Sequence, residues 1–310
     1  MIGLVSCVRK RMLKSKNKVI VISMGDIEGI GPEVSVKALL RPDILKSGHF
    51  IITGDKRLIP SALRKSSRVS IVDVPYRNPA EGSLKFLNKA IDLIKGGCAD
   101  ALVTAPLSKE RVAKYYKNFS GHTEYLAQAF DVKHVDMMFV ANNIRCVIVT
   151  RHEPLKDIPT LITPQSVYAC IAMTHQSLVN IFKIKKPTIA VLGLNPHAGE
   201  NGLMGKDELR AINPAINKAL KQGWHVKGAF PADTFFYYNA KNYDAVIAMY
   251  HDQGLIPVKT LYSSQLVNMT VGLPFVRTCP AHGTAFDIAG KNKADPSSMV
   301  ASLRLACQLA

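Results

Sequence analysis

Short apolar, β-branched segments that alternate with helical patterns constrain this chain more than any other feature. Residues 18–24, 49–53, 99–104, 145–150, 188–194 and 244–250 each read as a buried strand. Between the early ones Leu84, Leu87, Ile91 and Ile94 recur at helical spacing before Gly96-Gly97. A second long helical pattern, 166–182, follows Thr163-Pro164. The alternation predicts crossover helices and an α/β fold. With 310 residues, 47% of them hydrophobic, the chain can bury a large core as one large or two moderate domains.

Composition removes several function classes. No stretch approaches the roughly 18 uninterrupted apolar residues of a spanning helix, so a membrane role is not expected. The apolar start, 1–7, is short and no basic segment precedes it, which reads as a tail and not as a lipoprotein signal. Six cysteines (Cys7, Cys98, Cys146, Cys170, Cys279, Cys307) form no C-x-x-C pair, a pattern expected of reduced thiols in a cytoplasmic protein. The formal charge of +17 is partly local, in the run Arg9, Lys10, Arg11, Lys14, Lys16 and Lys18. The rest is dispersed and carries no helix-turn-helix, zinc-finger or aromatic RNA-binding pattern, so nucleic acid is not the expected partner. A dispersed positive surface favours anionic ligands.

Three histidines stand at strand exits: His152 after 145–150, His197 in the run Leu194-Asn195-Pro196-His197-Ala198-Gly199-Glu200, and His251 directly after 244–250. In open α/β sheets ligands bind outside the carboxyl ends of strands, so imidazoles delivered there can converge although far apart in sequence. Each alone reads as an ordinary loop histidine; the shared placement points to a metal. Imidazole suits Zn, Co or Ni, and three ligands with open positions describe a catalytic site. His49, His134, His175 and His225 lack such surroundings, and His282 stands in the polar run Ala281-His282-Gly283-Thr284.

Around His251 the chain crowds Asp252 and Lys259 into nine residues, and Asn268 and Arg277 follow at equal intervals among apolar neighbours. Lys and Arg so placed are anchors for carboxylate or phosphate. Gly121-His122-Thr123-Glu124 opens a helical pattern, with Thr123 expected as N-cap, and its amides suit a phosphate. The loop Gly25-Asp26-Ile27-Glu28-Gly29-Ile30-Gly31-Pro32 is no G-x-G-x-x-G fingerprint, and Asp26 and Glu28 would oppose a pyrophosphate, which favours a structural turn or a cleft-lining role over a dinucleotide loop. No P-loop is present. The residues that would hold a nicotinamide cofactor are not identified by spacing.

These motifs, together with Thr104-Ala105-Pro106, Pro231-Ala232-Asp233-Thr234 and 267–290, resemble the 4-hydroxythreonine-4-phosphate dehydrogenase family of vitamin B6 biosynthesis from about residue 18 to the C-terminus. The resemblance implies a two-domain α/β fold like that of isocitrate and isopropylmalate dehydrogenases, with the active site in the interdomain cleft. It further implies a homodimer whose site is shared between subunits, NAD or NADP, and one divalent metal per site (Zn, Mg or Co). The family's metal ligands fall on His152, His197 and His251, and its substrate contacts on His122, Thr123, Lys259, Asn268 and Arg277. Asp233 and Asp252 match acidic positions near the metal. With Lys259 they are the candidate catalytic residues, Lys259 as a proton carrier if burial or a nearby cation lowers its pKa. The implied activity is oxidation of 4-phosphohydroxy-L-threonine to 2-amino-3-oxo-4-phosphooxybutanoate, which decarboxylates to 3-amino-2-oxopropyl phosphate.

The expected organisation is a tail, 1–17, a first domain of 18–115 with 286–310, and a second of 116–285 carrying the metal and dimer contacts. Two departures stand out: Ile27-Glu28 where the family commonly has Pro-Ala, and Arg151-His152-Glu153-Pro154-Leu155 where Thr-His-Leu-Pro-Leu is common. The alternatives are a paralogous dehydrogenase of phosphothreonate or phosphoerythronate, and a metal-free enzyme similar to phosphate acyltransferases.

Overall fold

The computed structural model describes residues 18–117 and 119–310; the expected tail, 1–17, lies outside the described residues. The elements used below are, in chain order, β1 (Val19–Ser23), α1 (Gly31–Leu39), β2 (His49–Gly54), β3 (Val69–Asp73), α2 (Pro79–Lys95), β4 (Ala101–Thr104), α3 (His122–Ala129), β5 (Asp136–Ala141) and β6 (Ile144–Ile148). They continue with α4 (Pro164–Asn180), β7 (Thr188–Leu192), α5 (Asn213–Lys221), β8 (His225–Phe230), α6 (Ala232–Tyr238), β9 (Ala245–Ala248), α7 (His251–Tyr262), β10 (Val267–Val271), β11 (Val276–Pro280) and α8 (Ser297–Leu309). All six expected strands form, and β3, β5, β8, β10 and β11 are additional.

Two compact units result. The first comprises 18–133 and 273–310. Its strands run β3-β2-β1-β4-β11, every pairing parallel, so all five strand exits lie on one edge. Ile20, Val21 and Ile22 of β1 and Leu102 and Val103 of β4 are fully buried, the continuous apolar run expected of parallel strands covered on both faces. α2 packs on β1 and β2, and α8 on β4 and β11. α2 starts where Asn78 Oδ1 accepts from Glu81 N at 3.0 Å with Pro79 in the first turn, and it stops at Gly96-Gly97. Its buried face is Ser83, Phe86, Leu87, Ala90 and Ile91, so Leu84 and Ile94 lie at the edges of the stripe and not at its centre. Leu87→Ala would cost about 2–5 kcal/mol.

The second unit, 134–272, orders its strands β10-β5-β6-β9-β7-β8. β10, β5 and β6 pair antiparallel, whereas β6, β9, β7 and β8 are parallel, so these last four exit on a common edge. Thr163 begins α4 with a capping box to Ser166, and Pro164 occupies the first turn. α5 packs on α4 and β8, and α7 on β6 and β9.

The units divide at 133/134 and 272/273, whereas the sequence placed the divisions at 115/116 and 285/286. Two contacts explain the difference. Tyr125 of α3 meets Tyr116 edge-to-face and Phe119 at a tilt and donates its hydroxyl to Asn88 Oδ1 of α2 at 2.6 Å, which ties 116–133 to the first unit. Arg277 of β11 pairs in register with Leu102 of β4. Among the described residues no helix is long and apolar enough to cross a membrane.

Candidate active site

The carboxyl edge of the second unit carries all three strand-exit histidines. A backbone frame holds the loops they stand on. Thr150 Oγ1 donates to Met249 O at 2.8 Å, which joins the β6 exit bearing His152 to the β9 exit bearing His251. Gln253 accepts from Met249 N and donates to Gly193 O, both at 2.7 Å, which joins the β9 exit to the β7 exit bearing His197. Glu208 is 3% exposed, and its Oε1 accepts from Leu194 N and Asn195 N, each at 2.8 Å, while Oε2 accepts from Asn195 Nδ2 at 3.0 Å. From that anchor the chain passes through five left-handed residues, His197 to Asn201. Gly199 among them has φ +77, and a Cβ there would collide with the Glu208 carboxylate.

The rings of His152 and His251 lie 5.8 Å apart, centroid to centroid, and line one pocket with Glu153, Tyr250 and Asp252. His251 opens α7, and its Nδ1 sits 2.7 Å from Asp252 Oδ1, a contact that orients the ring and leaves Nε2 directed away from the carboxylate. His197 lines an adjoining cleft of about 800 Å³ with Asp233, Phe236, Tyr237 and Ile256, and Tyr250 and Asp252 border both. Paired imidazoles with neighbouring carboxylates suit a divalent ion. Among the described residues no three His, Cys, Asp or Glu gather around one point; His152 and His251 share one pocket, and His197 lines the adjoining cleft. Lys259 is exposed in the last turn of α7. Asn268, on β10 opposite Phe139, has its Oδ1 buried without a hydrogen-bond partner.

In the first unit the substrate candidates Arg277 and Thr123 are buried and His122 is half-buried. Arg277 is 1% exposed and donates from Nη2 to Thr104 Oγ1 at 2.6 Å. His122 begins α3, its Nε2 is buried without a partner, and burial, then Arg277, then Lys109 hold its pKa well below the usual 6.5. The expected N-cap Thr123 is not the cap: Gly121, at φ 137, occupies that position, and Thr123 lies buried one residue into the helix. A positive φ suits glycine, which brings no side chain of its own to cap α3.

The glycine loop is held by its own side chains and by neighbouring backbone. Asp26 is fully buried, its Oδ1 accepts from Glu28 N at 3.0 Å, and Arg111 pairs with Glu28 and lies 3.6 Å from Asp26 Oδ2. Burial raises the Asp26 pKa. The loop is tied to the neighbouring exits by Asp26 N to Pro106 O and Ile30 N to Thr284 O, each 2.9 Å. His282 keeps Nδ1 3.0 Å from Gly283 O.

Residues 46–306 match the family described as "Pyridoxal phosphate biosynthetic protein PdxA". The chain belongs to the PdxA family. The 4-hydroxythreonine-4-phosphate dehydrogenase of Ruegeria sp. (strain TM1040) is 41% identical, the match covering 94% of this chain and 97% of that protein. Its counterpart in Geobacter metallireducens is 38% identical over 94% and 95%. The crystal structure of the Klebsiella pneumoniae 4-hydroxythreonine-4-phosphate dehydrogenase superposes with a TM-score of 0.85 at 31% identity, covering 96% of this chain and 99% of that one. The fold of the PdxA family, an α/β fold like that of isocitrate and isopropylmalate dehydrogenases, is thus the fold of this chain. Sequence reasoning missed Glu208, Gln253 and Lys109. All three act across turns or strand exits, where no local pattern marks them.

Proposed function

We propose that this chain is a metal-dependent dehydrogenase that oxidises 4-phosphohydroxy-L-threonine with NAD or NADP to 2-amino-3-oxo-4-phosphooxybutanoate, which loses carbon dioxide to give 3-amino-2-oxopropyl phosphate. The observation that carries the reading is the pairing of His152 and His251 beside Asp252 at the β6 and β9 exits. The first unit adds a buried guanidinium suited to a phosphoryl group.

His152, His197 and His251 would hold one divalent ion, zinc, magnesium or cobalt. When bound, it supplies Lewis acidity toward the substrate hydroxyl and the carbonyl formed from it. Arg277, His122 and Thr123 hold the phosphoryl group, and Asn268 directs its buried Oδ1 to a substrate donor. Asp252 orients His251 through Nδ1. Asp233, exposed in the first turn of α6 beside His197, and Lys259 are the groups that exchange protons with the substrate.

The active chain is a homodimer whose subunits share the site. Supporting this, large apolar side chains stay exposed around the His197 cleft, Tyr237 at 83% and Ile256 at 63%, a surface a soluble monomer rarely leaves open. The enzyme works in the cytoplasm, in keeping with the free thiols of Cys98, Cys146, Cys170, Cys279 and Cys307. Nicotinamide absorbance across a panel of 4-phosphohydroxythreonine, phosphothreonate and phosphoerythronate tests the substrate. The highest kcat/KM belongs to the first compound, and a preference for either other overturns the assignment.

A further inference from the structure

A cation that the substrate assignment leaves unused lies over the first turn of α3. Lys109 brings Cε to 2.8 Å and Nζ to 3.1 Å from the point where a side chain on Gly121 would begin. Only glycine leaves room for that approach. Glu124 Oε2 comes within 3.2 Å of the same point. Lys109 is exposed whereas Arg277 is 1% exposed, and both bear on the imidazole of His122, whose Nε2 is buried without a hydrogen-bond partner.

In isolation this arrangement is costly. A buried donor without an acceptor costs about 1–3 kcal/mol, and two cations near one imidazole oppose its protonation. A phosphate monoester carries close to two negative charges at pH 7 and three acceptor oxygens. It offsets Arg277 and Lys109 together and accepts from His122 Nε2–H, which the neutral imidazole donates.

We propose that Lys109 is a phosphate-binding residue of the substrate site. It closes the solvent side of a phosphoryl group whose inner side meets Arg277 and His122. This assignment rests on the reading that the substrate is a phosphorylated hydroxy acid.

Calorimetric titration of the full chain with inorganic phosphate tests it. Lys109→Met and Lys109→Gln weaken phosphate binding about tenfold or more, while Lys109→Arg stays within about threefold of the parent. In the phosphate-free protein the His122 imidazole titrates at higher pH in Lys109→Met, read by NMR, because one opposing charge is gone. Phosphate affinity equal to the parent in both neutral variants overturns the proposal. The substrate panel judges the underlying reading separately. If no phosphorylated hydroxy acid is oxidised while Lys109→Met still loses phosphate, the substrate reading falls and Lys109 stands. If a phosphorylated substrate is oxidised with unchanged KM by Lys109→Met, Lys109 alone falls.

Discussion

The two units carry their functional side chains in opposite ways. At the edge of the second unit the imidazole of His251 is 35% exposed and His197 is exposed on a left-handed loop, and rigidity comes from the backbone beneath them, pinned by Thr150, Gln253 and Glu208. At the edge of the first unit the functional groups are themselves interior: Arg277 is 1% exposed and Thr123 is 3% exposed. An exposed ligand on a braced loop can be removed with little effect on the fold, because it contributes no packing. A buried cation sits in the core, so its replacement reports on packing and chemistry at once.

That contrast is sharpest under substitution of the histidines. His197→Ala and His251→Ala are expected to lose bound metal, measured by elemental analysis after dialysis, and to drop kcat/KM about 10³-fold or more, with a thermal midpoint within about a degree or two of the metal-free parent. Full retention of both metal and activity in either variant removes that histidine from the ligand set. Arg277→Met ranks next: KM for the phosphorylated substrate rises about 100-fold as a charge-assisted bidentate contact is lost. Its thermal midpoint stays level or rises, because an apolar side chain of similar reach replaces a buried charge without leaving a carboxylate stranded. A collapse of stability in Arg277→Met would make its role structural and erase the difference between the two edges.

How far the sequence discloses these two edges follows from what each depends on. The strands that bear His152, His197 and His251 are runs of Val, Ile and Leu, so local pattern suffices to place each histidine at an exit. β11 escapes the same reading because it is Val276–Pro280 with an arginine second and a proline last, and only the paired β4 explains why Arg277 is buried. β8 escapes it because Lys227 and Gly228 are exposed on an edge strand. The family resemblance supplied the substrate roles of His122 and Arg277. It did not supply Glu208, whose carboxylate reaches back 13 and 14 residues to two amides, nor Lys109, whose approach depends on Gly121 having no side chain. Tertiary reach of this kind leaves no periodicity to read.

Glu208 offers the reverse experiment, a change with no reacting group in it. Glu208→Ala strips the acceptor from two backbone amides and from Asn195 Nδ2 in a site only 3% exposed. Hydrogen bonds to a charged acceptor contribute about 1.5–3 kcal/mol, so a loss of about 3 kcal/mol in urea unfolding is expected, with weaker metal retention as the His197 loop loosens. Glu208→Gln keeps acceptor geometry on one oxygen and loses about half as much. Unchanged stability in Glu208→Ala would mean that the loop is held by its own turns and that the bracing of the second unit is spread more widely.

The smallest effect separates the edges by pH. His122 has its pKa pressed well below 6.5 by burial and by Arg277 and Lys109, so in the folded chain it stays neutral under conditions where the unfolded chain protonates it. Above pH 6.5 neither state binds this proton and His122 contributes no slope. As pH falls below 6.5 the unfolded state gains a proton that the folded state refuses, and stability declines by at most about 1.4 kcal/mol per pH unit until the folded pKa is reached. His49 and His175 are shifted in the same direction and add to the decline. His122→Gln is therefore expected to flatten the fall in the urea midpoint between pH 6.5 and 5 by up to one proton's worth. Saturating phosphate should flatten it in the parent as well, because an anion at Nε2 restores the basicity that the two cations suppress. An identical slope in parent and His122→Gln would place His122 in contact with water and remove it from the interior of the first unit.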